Sequence, residues 1–166
     1  NKWTGTYGSG AAPILAGEYT VTVTGTDQAG NAATATGTFC KKTISVSGVA
    51  PTTVTTPTTT LEVETKGAVS DVNISVTQHL DNPSGNVKNP KGAELGAGAF
   101  VEIIAPPQLV DNLKEIYIRV DYKEEQLPAG TDEDTLKLYL WDVTSANWTV
   151  VPGSKSVPAL NYIEGR

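Results

Sequence analysis

Residues 17–26 read Gly17-Glu18-Tyr19-Thr20-Val21-Thr22-Val23-Thr24-Gly25-Thr26, turn through Asp27-Gln28-Ala29-Gly30-Asn31, and return through residues 32–46 as Ala-Ala-Thr-Ala-Thr-Gly-Thr-Phe-Cys-Lys-Lys-Thr-Ile-Ser-Val. Strict alternation of threonine with apolar residues is the period of a strand, not of a helix. Asp27 and Asn31 are residues whose side chains close turns through local hydrogen bonds. The stretch therefore predicts a β-hairpin. On its first arm, Tyr19, Val21 and Val23 share one face and Thr20, Thr22 and Thr24 the other. On the return arm, Ala35, Gly37 and Phe39 oppose Thr34, Thr36, Thr38 and Cys40. The threonine face is expected to be wet, which places Cys40 in solvent. Lys41 and Lys42 beside it favour a thiolate. As the single cysteine of the chain, Cys40 is the candidate intermolecular thiol.

Working outward, composition agrees with an all-β protein. The chain has 166 residues, 18% of them charged, and is rich in Thr, Gly and Val. A net charge of −6 excludes a nucleic-acid partner, which needs a basic surface. No apolar run approaches the roughly 20 residues of a helical membrane span. The single histidine, His79, allows no zinc set and no triad. It is expected as an exposed turn residue. Asp132-Glu133-Asp134 lacks the spacing of a calcium loop and reads as a solvated turn. The adjacent Glu124 and Glu125 give no hydrolytic pair. No catalytic, metal or cofactor site is expected, and the chain is read as non-enzymatic.

Pro51 to Thr60, Pro-Thr-Thr-Val-Thr-Thr-Pro-Thr-Thr-Thr, is low in complexity and favours extended backbone. It is read as part of a linker over residues 49–60, separating a unit at 1–48 from one at 61–166. The second unit reads as strands at Leu61–Thr65, Val72–Gln78, Phe100–Ala105, Glu115–Lys123, Leu136–Asp142, Trp148–Pro152 and Asn161–Arg166. A turn-rich stretch lies at Asp81–Gly98 and a short helical turn at residues 108–114. In Glu115–Tyr122, Ile116, Ile118, Val120 and Tyr122 face inward. In Leu136–Asp142, Leu136, Leu138 and Leu140 do. If the two strands are neighbours, Tyr117, Tyr139 and Trp141 form an aromatic contact patch. Asn73-Ile74-Ser75 and Asn147-Trp148-Thr149 make Asn73 and Asn147 candidate N-glycosylation sites.

Two resemblances follow. Residues 1–48, with Gly17-Glu18-Tyr19 after a Trp-x-Gly and a Pro, resemble the last hairpin of a bacterial or archaeal immunoglobulin-like module. Only 16 residues precede the hairpin, so the module is expected to be incomplete. Residues 61–166 are similar to the PGF-pre-PGF domain of archaeal surface proteins. The likeness is carried by Gln78-His79-Leu80-Asp81-Asn82-Pro83-Ser84-Gly85, by Ile116–Tyr122 leading to Leu127-Pro128-Ala129-Gly130, and by Trp148–Ser154 with Asn161-Tyr162-Ile163. That family continues for one more strand, so this unit too is expected to lack its last. The final Ile163-Glu164-Gly165-Arg166 continues the strand pattern but also matches a tag-removal protease site.

The expectation is thus an all-β protein of immunoglobulin-like β-sandwich units, both incomplete at a chain end. The resemblances imply an extracellular, cell-surface structural protein of a surface layer or filament. It would assemble as a homo-oligomer or polymer through strand complementation, or with the remainder of a larger surface protein. The alternatives are a carbohydrate-binding or adhesion module with a glycan partner, and an accessory region of a larger secreted hydrolase.

Overall fold

The computed structural model describes residues 17–79, 100–142 and 144–166. The chain is built of strands: β1 (Gly17–Thr26), β2 (Ala32–Val46), β3 (Thr52–Thr55), β4 (Thr59–Thr65), β5 (Val69–His79), β6 (Phe100–Ile104), β7 (Leu113–Asp121), β8 (Tyr139–Asp142), β9 (Asn147–Val150), β10 (Lys155–Val157) and β11 (Tyr162–Gly165). A short helix, α1 (Pro107–Asn112), starts where Pro107 fixes the first helical φ. The strands form one sheet in the order β1-β2-β5-β6, a second in the order β10-β11-β7-β4-β3, and a separate β8-β9 hairpin. All pairings are antiparallel. The expected loop at residues 1–16 and the turns of residues 81–98 lie outside the described residues.

The two larger sheets stack as a sandwich. Ile44 and Val46 of β2 and Val69, Val72, Ile74 and Val76 of β5 meet Val54 of β3 and Leu61 and Val63 of β4, with Leu109 of α1 closing one end. Ile116 and Ile118 of β7 pack against the same cluster, and Val120 and Tyr122 are buried, as their alternation predicts.

This core corrects the domain division. Residues 49–60 are not a linker. Thr52–Thr55 and Thr59–Thr65 pair as a hairpin, and Val54 is 0% exposed. Thr56 closes the connecting turn: its Oγ1 accepts from the Thr59 amide at 3.0 Å, and its amide donates to the Thr59 carbonyl at 2.8 Å. Pro57 sits inside that turn, where its missing N–H costs no ladder bond. Threonine is a good strand former, so a Thr-Pro run serves a short edge hairpin as well as a spacer. One core joins residues from both sides of the expected boundary. The hairpin at 17–46 is completed by a strand from beyond that boundary, because Phe39–Val46 pairs with Val69–Thr77 of β5.

A second correction concerns which face of β2 is dry. Ile44, Val46 and Cys40 all occupy even positions and all are buried. The threonine face expected for the return arm and the core face are one and the same side of β2. Cys40 is 6% exposed, not in solvent. The side changes from wet to dry along the strand because only the second half of β2 lies over the other sheet. Tyr19 and Val23 fall on the opposite side, and Val23 is 52% exposed. Every residue from Thr22 to Thr34 is exposed. The tips of β1 and β2 thus form a two-stranded arm beyond the sandwich body.

Ile163-Glu164-Gly165-Arg166 lies within the fold. β11 is an interior strand between β10 and β7. Gly165 packs so closely that an added Cβ would lie 2.8 Å from Val151 Cγ1.

Candidate functional site

Three surfaces carry groups that could act on something outside the chain. The first is the edge of the arm. Among the described residues, the edges of the two larger sheets are presented by β1, β6, β3 and β10. Proteins blunt such edges with short strands, prolines and lysines. β3 has four residues between Pro51 and Pro57, and Lys42 Nζ donates to its Thr55 carbonyl at 2.6 Å. β10 has three residues between Pro152 and Pro158. β6 has five and runs into Pro106 and Pro107. β1 has ten residues with neither proline nor a basic side chain. Its register with β2 sets threonine opposite threonine, Thr20↔Thr38, Thr22↔Thr36 and Thr24↔Thr34. At the last pair the two Oγ1 atoms are 3.2 Å apart. Asp27 locks the arm's tip. Its Oδ1 accepts from the Ala29 and Asn31 amides and its Oδ2 from Asn31 Nδ2, each at 2.9 Å. These bonds, that from the Asn31 side chain foremost, hold its carboxyl below the usual range.

The second surface is the outer face of the β10-β11-β7-β4-β3 sheet. Tyr117 donates its hydroxyl to Glu164 Oε2 at 2.6 Å, and Lys155 Nζ lies 2.9 Å from Glu164 Oε1. Arg119 Nε donates to Asp121 Oδ1 at 2.8 Å, with its guanidinium 4.0 Å from the centre of the Tyr162 ring. The Arg166 guanidinium sits 5.6 Å from the Tyr117 ring centre. Burial first, and the Glu164 carboxylate second, push the Tyr117 hydroxyl up to about 12. The same hydrogen bond, followed by that from Lys155, holds Glu164 low. An arginine lies against each of these tyrosines, so neither ring offers a bare platform for a sugar.

The third surface is the β8-β9 hairpin. Tyr139 pairs with Val150 and Trp141 with Trp148. The two indoles are 5.3 Å apart, centre to centre, and inclined at 59°. A tilted aromatic pair at this distance is a favourable contact. Asp142 ties the turn by accepting from the Thr144 amide at 2.8 Å and the Ser145 hydroxyl at 2.7 Å. Ser154 Oγ anchors the hairpin's base by accepting from the Leu138 amide at 2.7 Å.

The expected patch of Tyr117, Tyr139 and Trp141 is not assembled. It required β7 and β8 to be neighbours, but β7 lies between β4 and β11, and among the described residues β8 pairs with β9 alone. Tyr117 belongs to the polar network, while Tyr139 and Trp141 stand with Trp148. The expected inward face of β8 is also reversed at its end, where Leu140 is 61% exposed. The missed residue is Trp148. Reading 143–146 as a hairpin turn would have set it opposite Trp141.

The remaining candidates have these places. Asn73 is exposed on β5 and accepts from the Thr43 hydroxyl at 3.0 Å. Asn147 is exposed at the start of β9. His79 ends β5, part-buried, with Nε2 3.4 Å from Glu102 Oε2. It is thus in a strand, not an exposed turn. Asp132 caps a 3-10 turn by accepting from the Asp134 amide, and Glu133 accepts from the buried Tyr122 hydroxyl. Among the described residues no three His, Cys, Asp or Glu side chains gather as a metal site. No described helix is long and apolar enough to cross a membrane.

Comparison with family models, curated proteins and solved structures finds no match to this chain. The class defined by the fold is an all-β protein with antiparallel sheets, an arrangement compatible with an immunoglobulin-like sandwich.

Proposed function

We propose that this chain is a non-catalytic structural module of an extracellular surface or filament assembly, joined to its neighbours by β-strand addition. The observation that carries this reading is the exposed arm of residues 22–34, whose strand β1 is a sheet edge among the described residues and carries neither proline nor basic residue. Unprotected edges take up strands from other chains. The likeness of residues 61–166 to an archaeal surface domain, and the exposed sequon asparagines Asn73 and Asn147, support the extracellular setting. The hairpin at residues 17–46 does not itself call for a second chain, because β5 pairs with it. Sedimentation of the chain, alone and with its native neighbours, tests it. A complex should form whose β1 amides are newly protected from hydrogen exchange. Assembly with β1 amides unchanged would refute strand addition.

A second reading, adhesion through a glycan, is favoured by the Trp141–Trp148 pair. A glycan panel read by tryptophan fluorescence tests it. Binding that survives Trp148→Ala would place any sugar elsewhere.

A further inference from the structure

We propose that Asn147 is an N-glycosylation site used on the folded chain, that Asn73 is passed over, and that the first sugar at Asn147 lies on Leu140. This rests on the extracellular reading and specifies where that setting marks the chain.

The two sequons differ in what must open before they can be used. A glycosyltransferase grips the acceptor tripeptide by itself, so the segment has to leave its sheet. Asn73-Ile74-Ser75 lies inside the 11-residue β5. Ile74 is fully buried in the sandwich core. Asn73 pairs with Thr43 of β2, and Ser75 lies between Lys41 of β2 and Ile104 of β6. Lifting this segment breaks ladders on both sides and pulls Ile74 out of the core, at a cost approaching global unfolding. Asn147-Trp148-Thr149 lies in the four-residue β9, which pairs with β8 in a separate hairpin. It follows the turn tied by Asp142, and Asn147 and Thr149 are exposed. Lifting it opens one short hairpin and parts Trp148 from Trp141, while the sandwich core stays closed. Local openings of this kind are populated in native proteins.

In the transfer, Asn147 Nδ2 forms a bond to the anomeric carbon of a glycosyl diphosphate donor. The donor's C–O bond breaks, its diphosphate leaves, and the amide proton passes to a base of the transferase. Register then sets what the new sugar meets. Leu140 is opposite Thr149, and Asp142 is opposite Asn147. Residues directly opposite share a side, so Asn147, Thr149, Leu140 and Asp142 line one face of the hairpin, and Trp141 and Trp148 the other. Leu140 is the diagonal neighbour of Asn147, about 7–8 Å away and within reach of a pyranose ring joined to Nδ2. It is a large apolar side chain left exposed. The C–H face of a hexosamine would cover it, while the Asp142 carboxylate accepts from sugar hydroxyls. The sugar and the indole pair thus take opposite faces of one hairpin.

Glycopeptide mass spectrometry of the chain from its native source tests the site. Peptides carrying Asn147 should gain sugar mass, and those carrying Asn73 should not. Thr149→Ala should abolish the modification and Thr149→Ser should keep it. Hydrogen exchange tests the contact. In the glycosylated chain the Leu140 and Thr149 amides should exchange severalfold more slowly than in the same chain made without glycosyltransferases. Leu140→Ala, whose folding circular dichroism checks, should erase that difference. Sugar on Asn73, alone or with Asn147, overturns selection by the fold. A difference that survives Leu140→Ala overturns the Leu140 contact. Both asparagines bare on a chain that surface labelling finds outside the cell overturns the site and leaves the extracellular reading standing. Both bare on a chain confined inside the cell overturns the two together.

Discussion

Val54→Ala separates a core hairpin from a linker. In the sandwich, Val54 is fully buried among Ile44, Leu61, Val63 and the valines of β5. The substitution removes two methyl-sized groups, each worth about 0.8 kcal/mol of transfer free energy. The cavity left behind adds a further penalty, since surrounding side chains collapse only in part. The expected loss is about 2 kcal/mol. Against a total stability of roughly 5–15 kcal/mol this is a large fraction. With a urea slope of about 2 kcal/mol/M, the unfolding midpoint should fall by about 1 M. Val49→Ala is the internal control, because Val49 lies five residues away and is 88% exposed. It should change stability by no more than about 0.5 kcal/mol. Urea denaturation followed by tryptophan fluorescence gives both values. If the Val54→Ala midpoint matches that of Val49→Ala, the stretch is a spacer and the shared core is refuted.

Gly165→Ala should destabilise by about 1–3 kcal/mol, since its Cβ would lie 2.8 Å from Val151 Cγ1. Val151→Ala in the same chain should recover part of that loss, which a double-mutant cycle by thermal unfolding measures. Tyr117 should ionise late in an absorbance titration at high pH, because its hydroxyl is pushed up to about 12. The folded pKa is raised above the unfolded one. This contribution is therefore intact below about pH 10 and lost as pH climbs through the folded value. Tyr117→Phe should shrink the late step and leave the part due to Tyr122, whose hydroxyl burial and Glu133 also push up, and tyrosines all titrating together in the wild type would contradict it. Glu164 is shifted the other way. Its contribution is present above the unfolded carboxyl range and lost as acid carries pH down through its lowered folded value. Glu164→Gln should flatten that acid limb in a stability profile.

Much of the fold was legible because alternation is local. The strands near 61–65, 72–78, 100–105 and 115–123 and the Asp27–Asn31 turn all lie where their residues point, and α1 falls where Pro107 starts it. What was illegible is which element lies opposite. β2 is one strand of 15 residues, yet its even positions are wet at Thr34 and dry at Ile44, because only the second stretch faces the other sheet. The composition of residues 51–60 could not distinguish a spacer from a hairpin. The decision rests on Val54, one apolar residue in a threonine run, finding a core. Strand neighbours were equally hidden. Tyr117 and Trp141 both alternate outward in sequence, but one joined Glu164 across a sheet and the other joined Trp148 across a turn.

The energetics of the arm join fold to function. Each ordered residue costs about 1–2 kcal/mol of backbone entropy. A cross-strand hydrogen bond returns about 0.5–1.5 kcal/mol net. In the sandwich, apolar burial covers the difference, but from Thr22 to Thr34 every residue is exposed and that term is small. An isolated two-stranded ribbon is marginal for this reason. The arm is held by β2 running on into the core and by the bonds of Asp27, so it sits near balance between closed and frayed. A strand added along β1 would give it a second ladder and tip the balance toward order. Association and arm order should therefore be coupled. In hydrogen exchange at low concentration, amides of Val23 to Thr34 should exchange far faster than those of Leu61 and Ile74. As concentration rises through the association midpoint, protection should grow in the arm and stay constant in the sandwich. Arm amides as slow as the core in the dilute chain would mean that the ribbon is stable without a partner. Adding a strand to the arm would then bring no gain in order.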